Sequence, residues 1–233
     1  MRPPVDIHYR RNACRVTARR KADGTISVTV PYGLDPLEQS TIIDKLVERI
    51  NSQPQKPRLL IVDNTIIEAP GITFTFNVDP HVPPSGIAAR LHGSSIPFEA
   101  SVAIGRDVDL TNGSIQKRLS DIAVRLAAMA GEPLILQPAR EISSRLGIPP
   151  SRWEIGRGRR TLGTCRTDKS ISLSALLAFL PQELKEFIIC HELAHLTEMN
   201  HSQRFHQLCD SYLGGREATL SQALKSYRWP ILR

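Results

Sequence analysis

The segment CHELAHLTEMNH, Cys190 to His201, restricts the fold more than any other stretch of the chain. His191 and His195 stand four residues apart, which on an α-helix rotates one from the other by only about 40° and places both on one face on successive turns. The residues leading into them predict such a helix. It opens at Leu180-Pro181, carries Glu183 and Glu186 in its first turns, and repeats Leu184, Phe187, Ile188, Ala194 and Leu196 as its apolar positions. His201 follows six residues after His195, so a continuing helix would carry it about 240° round and away from the pair. A fold in which the three meet must end the helix between His195 and His201. Met199-Asn200 is the expected place, because asparagine tolerates the left-handed conformation that terminates helices.

The same residues suggest a chemistry. In H-E-x-x-H the two histidines hold a zinc ion and the glutamate beside the first, here Glu192, acts as general base of a metallopeptidase. A catalytic zinc takes three protein ligands and one water, so a third ligand must come from elsewhere. His201 can reach the ion from the turn, and Glu198, His206 and Glu217 compete with it. The spacing also fits the metzincin pattern H-E-x-x-H-x-x-G-x-x-H, but Glu198 occupies the glycine position and no methionine turn of that type follows. A closed structural zinc site, with His206 or Glu198 as fourth ligand, is the competing reading. His81 and His92 are isolated and read as ordinary loop or strand residues.

Around this segment the pattern predicts an α+β fold: a β-rich N-terminal half followed by a small zincin-like helical core with a short antiparallel sheet. Residues 13 to 30 alternate apolar and polar on either side of Ala22, Asp23 and Gly24, a hairpin signal. Helical spacing follows from Asp35 to Ile50, with Asp35 as N-cap and Pro36 in the first helical position. Between Pro54 and Leu110 four short runs, Arg58 to Val62, Ile72 to Val78, Ile87 to Leu91 and Phe98 to Ile104, read as small antiparallel strands. A long helix is expected over Ser114 to Ala130, a shorter one from Pro138 to Gly147, strands over Arg152 to Ile155 and Thr161 to Leu173, and a last helix from Ser202 to Leu213. The division expected is 1–113 for the β-rich region and 114–233 for the zincin-like core.

Charge and cysteine usage narrow the partners. The net charge of +7 gathers at Arg10, Arg11, Arg15, Arg19, Arg20 and Lys21 and again at Arg152, Arg157, Arg159 and Arg160, which could form a phosphate-binding surface or simply solvated strand faces. No run approaches the eighteen or so apolar residues of a membrane span, and the N-terminal MRPPVDIHYRR has no apolar signal core. Cys14, Cys165, Cys190 and Cys209 are scattered without C-x-x-C pairing and read as reduced thiols, Cys190 as a small buried residue. A cytoplasmic protein without membrane contact is expected.

The segment LPQELKEFIICHELAHLTEMNHSQRF, Leu180 to Phe205, closely resembles the YgjP-like bacterial metallopeptidases, zincins related to the SprT and Wss-type proteases. In that family an L-P-x-E-L helix leads into H-E-L-x-H-L, and an N-H-S-x-x-F segment supplies the third histidine. Gly163-Thr164-Cys165 is similar to the family's W-G-S-C strand, with Leu162 in place of its tryptophan, and His206 stands where a tryptophan usually follows the Phe. The resemblance implies a zinc ion held by His191, His195 and His201, Glu192 as the base, and peptide or protein substrates. The strand around Gly163 to Ser172 is expected beside the cleft, where an extended substrate could pair with it. The alternative function is a nucleic-acid-associated protein with structural zinc and a basic binding surface.

Overall fold

The computed structural model describes residues 4–20, 25–52 and 61–232. The chain forms two compact units, Met1–Arg58 and Leu59–Arg233. The fold is α+β, with strands gathered in the N-terminal half and helices later. Among the described residues no helix is long and apolar enough to cross a membrane.

In the first unit, β1 (Val5–Arg10), β2 (Thr17–Arg20) and β3 (Ile26–Pro31) form a sheet in the order β1-β3-β2, followed by α1 (Pro36–Ser52). Strands β2 and β3 pair antiparallel as expected of the hairpin, whose turn at Ala22 to Gly24 lies outside the described residues. Helix α1 starts where its cap signal lies. The Asp35 Oδ1 accepts from the N–H groups of Leu37 and Glu38 at 2.9 and 3.2 Å. Ile26, Val28 and Val30 meet Ile43 in a small core, with Ala18 and Val47 packed on it. Strand β1, which pairs parallel with β3, was not expected, because all six of its residues are exposed and it owes its order to a distant partner.

In the second unit, β4 (Thr65–Ala69), β5 (Ile72–Val78), β6 (Ile87–His92) and β7 (Phe98–Ile104) run in the order β4-β5-β7-β6. Alternation sets Ile72, Phe74, Phe76, Phe98, Ala100, Val102 and Ile104 inward. The pairs β4–β5 and β6–β7 are antiparallel, but β7 lies between β5 and β6 and pairs parallel with β5. An all-antiparallel arrangement is thereby corrected; local alternation is silent on which strand sits beside which. The run expected from Arg58 to Val62 forms no strand at Ile61 and Val62, and its earlier residues lie outside the described ones. At Ile61 the buried Gln116 side chain replaces a strand neighbour, accepting from its N–H and donating to its carbonyl, both at 2.8 Å.

Helix α2 (Gly113–Met129) is capped by the Asn112 side chain, and α3 (Gln137–Leu146) ends at Gly147 with φ +69°. Between them Glu132–Leu136 forms a π-helical turn that the sequence pattern did not announce. Pro138 explains it in part. Having no N–H, it cannot serve the Leu134 carbonyl four residues back. Lys185, from the helix that carries the histidines, donates its Nζ to that carbonyl at 2.9 Å. Lys185 is only 2% exposed, and burial lowers its pKa.

The third sheet, β8 (Arg152–Gly156), β9 (Gly163–Cys165) and β10 (Ser170–Ser174), has the order β8-β10-β9. It is mixed: β9 pairs antiparallel with β10, and β8 parallel. A fully buried 3-10 turn, Ala175–Phe179, then feeds α4 (Gln182–Ala194), which α5 (Gln203–Tyr212) and α6 (Glu217–Ser226) follow. Phe179 stacks on Phe74 with ring centres 5.0 Å apart, and Leu184, Phe187, Ile188, Ile189 and Leu193 root α4 in the same core.

Candidate metal centre

Helix α4 presents His191 from its last turn and ends with His195 at its C-cap. The chain turns earlier than Asn200. Thr197 and Glu198 both donate their N–H to the Ala194 carbonyl, at 3.1 and 2.9 Å, and the His195 Nδ1 lies 3.0 Å from the Glu198 carbonyl oxygen. Among the described residues Asn64 and Lys169 are the non-glycines with positive φ, so Asn200 does not supply a left-handed break. The side chain of His195 locks the turn instead. Ser202 N–H then bonds to the Asn200 carbonyl at 2.8 Å, and the Ser202 hydroxyl caps α5 by accepting from Phe205 N–H at 3.3 Å.

This path brings His191, His195 and His201 together. One nitrogen from each lies within 4.8 Å of the others, and among the described residues they form a group that could hold a metal ion. Phe205, fully buried, is their floor: its ring centre is 4.9, 4.4 and 4.8 Å from those of His191, His195 and His201. The Nε2 atoms of His191 and His201 approach to 3.1 Å. Two imidazole lone pairs converge so only with a proton or cation between them, and ligands on a tetrahedral zinc with Zn–N near 2.0–2.1 Å lie about 3.3 Å apart. His195 donates Nδ1–H to the Glu198 carbonyl, which leaves its Nε2 as the ligating atom. Burial, reinforced by the neighbouring histidines, lowers His191 to about 4, and burial lowers His195. Both therefore stand neutral near pH 7, the form that binds a metal.

The competing side chains are engaged elsewhere. Glu198 pairs with Arg204 at 2.9 Å, and the His206 Nδ1 faces Glu217 Oε1 at 2.7 Å. The His206 ring centre stays 6.3 Å from that of His201. Of the two tyrosines near this end, Tyr227 gives its hydroxyl to the Phe179 carbonyl and Tyr212 hydrogen-bonds Thr197.

Glu192 is 6% exposed and lies against β9. Burial raises its carboxyl to about 7, with a backbone bond from Cys165 opposing the shift. Gly163 explains how a carboxylate fits there. A Cβ at that position would fall 2.5 Å from both Cγ and Oε1 of Glu192, so any larger residue would displace that carboxylate. Spacing alone could not have found this contact; the G-T-C strand signals it only through the family resemblance. A Gly163→Ala chain should keep its metal yet lose about 10²-fold in kcat, the scale of a 1 Å misplacement in an active site. Zinc content and turnover measured on the same preparation check it, and an unimpaired variant would remove this role for Gly163.

The chain matches the family model described as YgjP-like, metallopeptidase domain, over residues 15–227. It belongs to the YgjP-like family, whose domain is a metallopeptidase. No curated protein and no solved structure matches it.

Proposed function

We propose that the chain is a zinc-dependent peptidase of the cytoplasm, with His191, His195 and His201 as zinc ligands and Glu192 as general base. What supports it most is the placement of Glu192: next to His191 in the chain on α4, buried, and packed against Gly163, where a larger residue would have to displace its carboxylate. Zinc bound by three histidines supplies a Lewis acid that polarises a peptide carbonyl and lowers the pKa of water to about 7. Glu192 takes the proton as water attacks and returns it to the leaving amine.

The residues that carry the reaction all fall within 114–233. The sheet order β8-β10-β9 leaves β9 at an edge beside Glu192. An extended peptide can add to that edge through backbone hydrogen bonds that are indifferent to its sequence, so unfolded segments are the substrate class this arrangement favours. The four cysteines are free, which fits a reducing compartment. The test is hydrolysis of an unfolded protein by the wild type and by Glu192→Gln side by side. Equal cleavage by both would end the assignment of Glu192.

A further inference from the structure

Strand β1 pairs with β3 on one side and stands at the edge of its sheet. The Ile26 N–H bonds to the Pro4 carbonyl at 2.9 Å, and the parallel register from Val5↔Ile26 to Arg10↔Pro31 continues that ladder, so Asp6, His8 and Arg10 turn their backbone groups toward β3. Val5, Ile7 and Tyr9 turn theirs outward. These three are also the apolar residues of the strand, 39%, 43% and 49% exposed. Paired residues share a face, which puts them on the side of Ile26, Val28 and Val30, where α1 lies. Among the described residues the core under α1 nonetheless draws on β2, β3, α1 and the adjoining Val16 and Leu34, and on no residue of β1. Gln39 of α1 reaches the Tyr9 hydroxyl with its Nε2 at 2.8 Å, and the Tyr32 ring lies 5.9 Å from that of Tyr9.

An open edge of this kind accepts one sort of partner, another extended strand. The charges of β1 say which. Asp6, His8 and Arg10 alternate with the apolar residues and occupy the opposite, exposed face. In an antiparallel pair with a second copy of β1, the outward-turned residues Val5, Ile7 and Tyr9 must meet one another as hydrogen-bonded partners. Two registers do this with nearly full overlap. In the one centred on Ile7, Asp6 faces the second copy's His8. In the one centred on His8, Asp6 faces the second copy's Arg10 and Arg10 faces its Asp6, while Ile7 and Tyr9 meet twice. Opposite charges directly across a pair attract, and here they fall at non-hydrogen-bonded positions, where side chains stand closest. The strand is complementary to itself.

We propose that the chain self-associates through β1, two copies joining edge to edge about a two-fold axis at His8 into a six-stranded sheet. An axis perpendicular to the sheet sets both α1 helices on one face, and the Ile7–Tyr9 pairs fill the gap between them. A segment of unfolded protein can use the same backbone groups, but it does not supply the reciprocal Asp6–Arg10 pairs. The interface is small, a strand of 6 residues from each copy against the roughly 20–30 residues a side of a standard one. A dissociation constant of about 10 to 100 μM is therefore expected, weaker than the μM limit of standard-size interfaces. The inference is independent of the peptidase reading, because no residue of the metal centre takes part.

The experiment is sedimentation equilibrium of the whole chain over concentrations that bracket that constant, where a monomer–dimer equilibrium is expected. Ile7→Pro removes an outward N–H and no bond to β3, so the variant should melt close to the wild type and stay monomeric. Arg10→Asp sets like charges opposite each other at both ends of the junction and should weaken association about 30-fold, and adding Asp6→Arg should restore it. His8→Cys, made together with Cys14→Ser to remove an exposed thiol, should form a covalent dimer under mild oxidation. Partners at a non-hydrogen-bonded position have Cα atoms about 4.5 Å apart, within disulfide range. A chain that stays monomeric throughout overturns the proposal. So does a dimer indifferent to Ile7→Pro and to charge reversal, which would lie elsewhere on the chain. A monomer whose capture of reduced casein is abolished by Ile7→Pro overturns it as well and would make β1 a peptide site.

Discussion

Glu192→Gln should retain zinc and melt with the wild type while hydrolysis falls by ~10² to 10⁴, the range for loss of general-base help. Glutamine keeps the size of the side chain and an oxygen to accept the Cys165 backbone N–H, but at neutral pH it takes up no proton. The packing against Gly163 is preserved for the same reason. Since the three histidines are untouched, metal content should be unchanged. The effect would then fall on kcat with little change in KM, as expected when an interaction made only in the transition state is removed. Turnover, zinc stoichiometry and melting temperature on paired samples read it. A variant as active as the wild type would mean that the activity does not use this carboxylate.

His201→Ala should lose most of its zinc, whereas His206→Ala should keep stoichiometric metal and lose no more than the ~10- to 100-fold typical of a residue outside the ligand sphere. Sequence spacing leaves the two histidines as rivals, five residues apart. Their placement separates them: the His201 Nε2 is 3.1 Å from the His191 Nε2, and His206 is turned to Glu217 at 2.7 Å. Phe205 also bears on the contrast, since it supports the rings of all three clustered histidines. Metal analysis after exhaustive dialysis distinguishes the two variants. The opposite outcome, zinc lost from His206→Ala and kept by His201→Ala, would exchange their roles.

What could be seen in the sequence was what is local. Helix α1 with its Asp35 cap, α3 with its Gly147 stop, α5 with its Ser202 cap and the apolar face of α4 each declare themselves within a few residues. What was missed depends on distant groups. Strand β1 is ordered by β3, the parallel pairing of β5 and β7 by the insertion of β7, and the carbonyl that Pro138 leaves without an N–H in the π-turn is met by a lysine 51 residues away in sequence. The end of α4 was expected at Asn200 from backbone preference, and it came at His195 because a side-chain nitrogen satisfies a carbonyl of the next turn. At the site, spacing showed that two histidines share a face and that the helix must break before the third. It could not show the Phe205 floor or the approach of Gly163 to Glu192, which exist only once α5 and β9 are brought to α4.

The most direct test of a catalytic zinc centre is cleavage of an unfolded protein such as reduced casein by the wild type, stripped of metal with a chelator and reloaded with one equivalent of zinc. Activity should vanish on stripping and return on reloading, with Glu192→Gln inactive in the reloaded state. A fully zinc-loaded wild type that cleaves nothing across a broad panel of unfolded substrates would contradict the account, and so would cleavage that persists undiminished in the stripped protein.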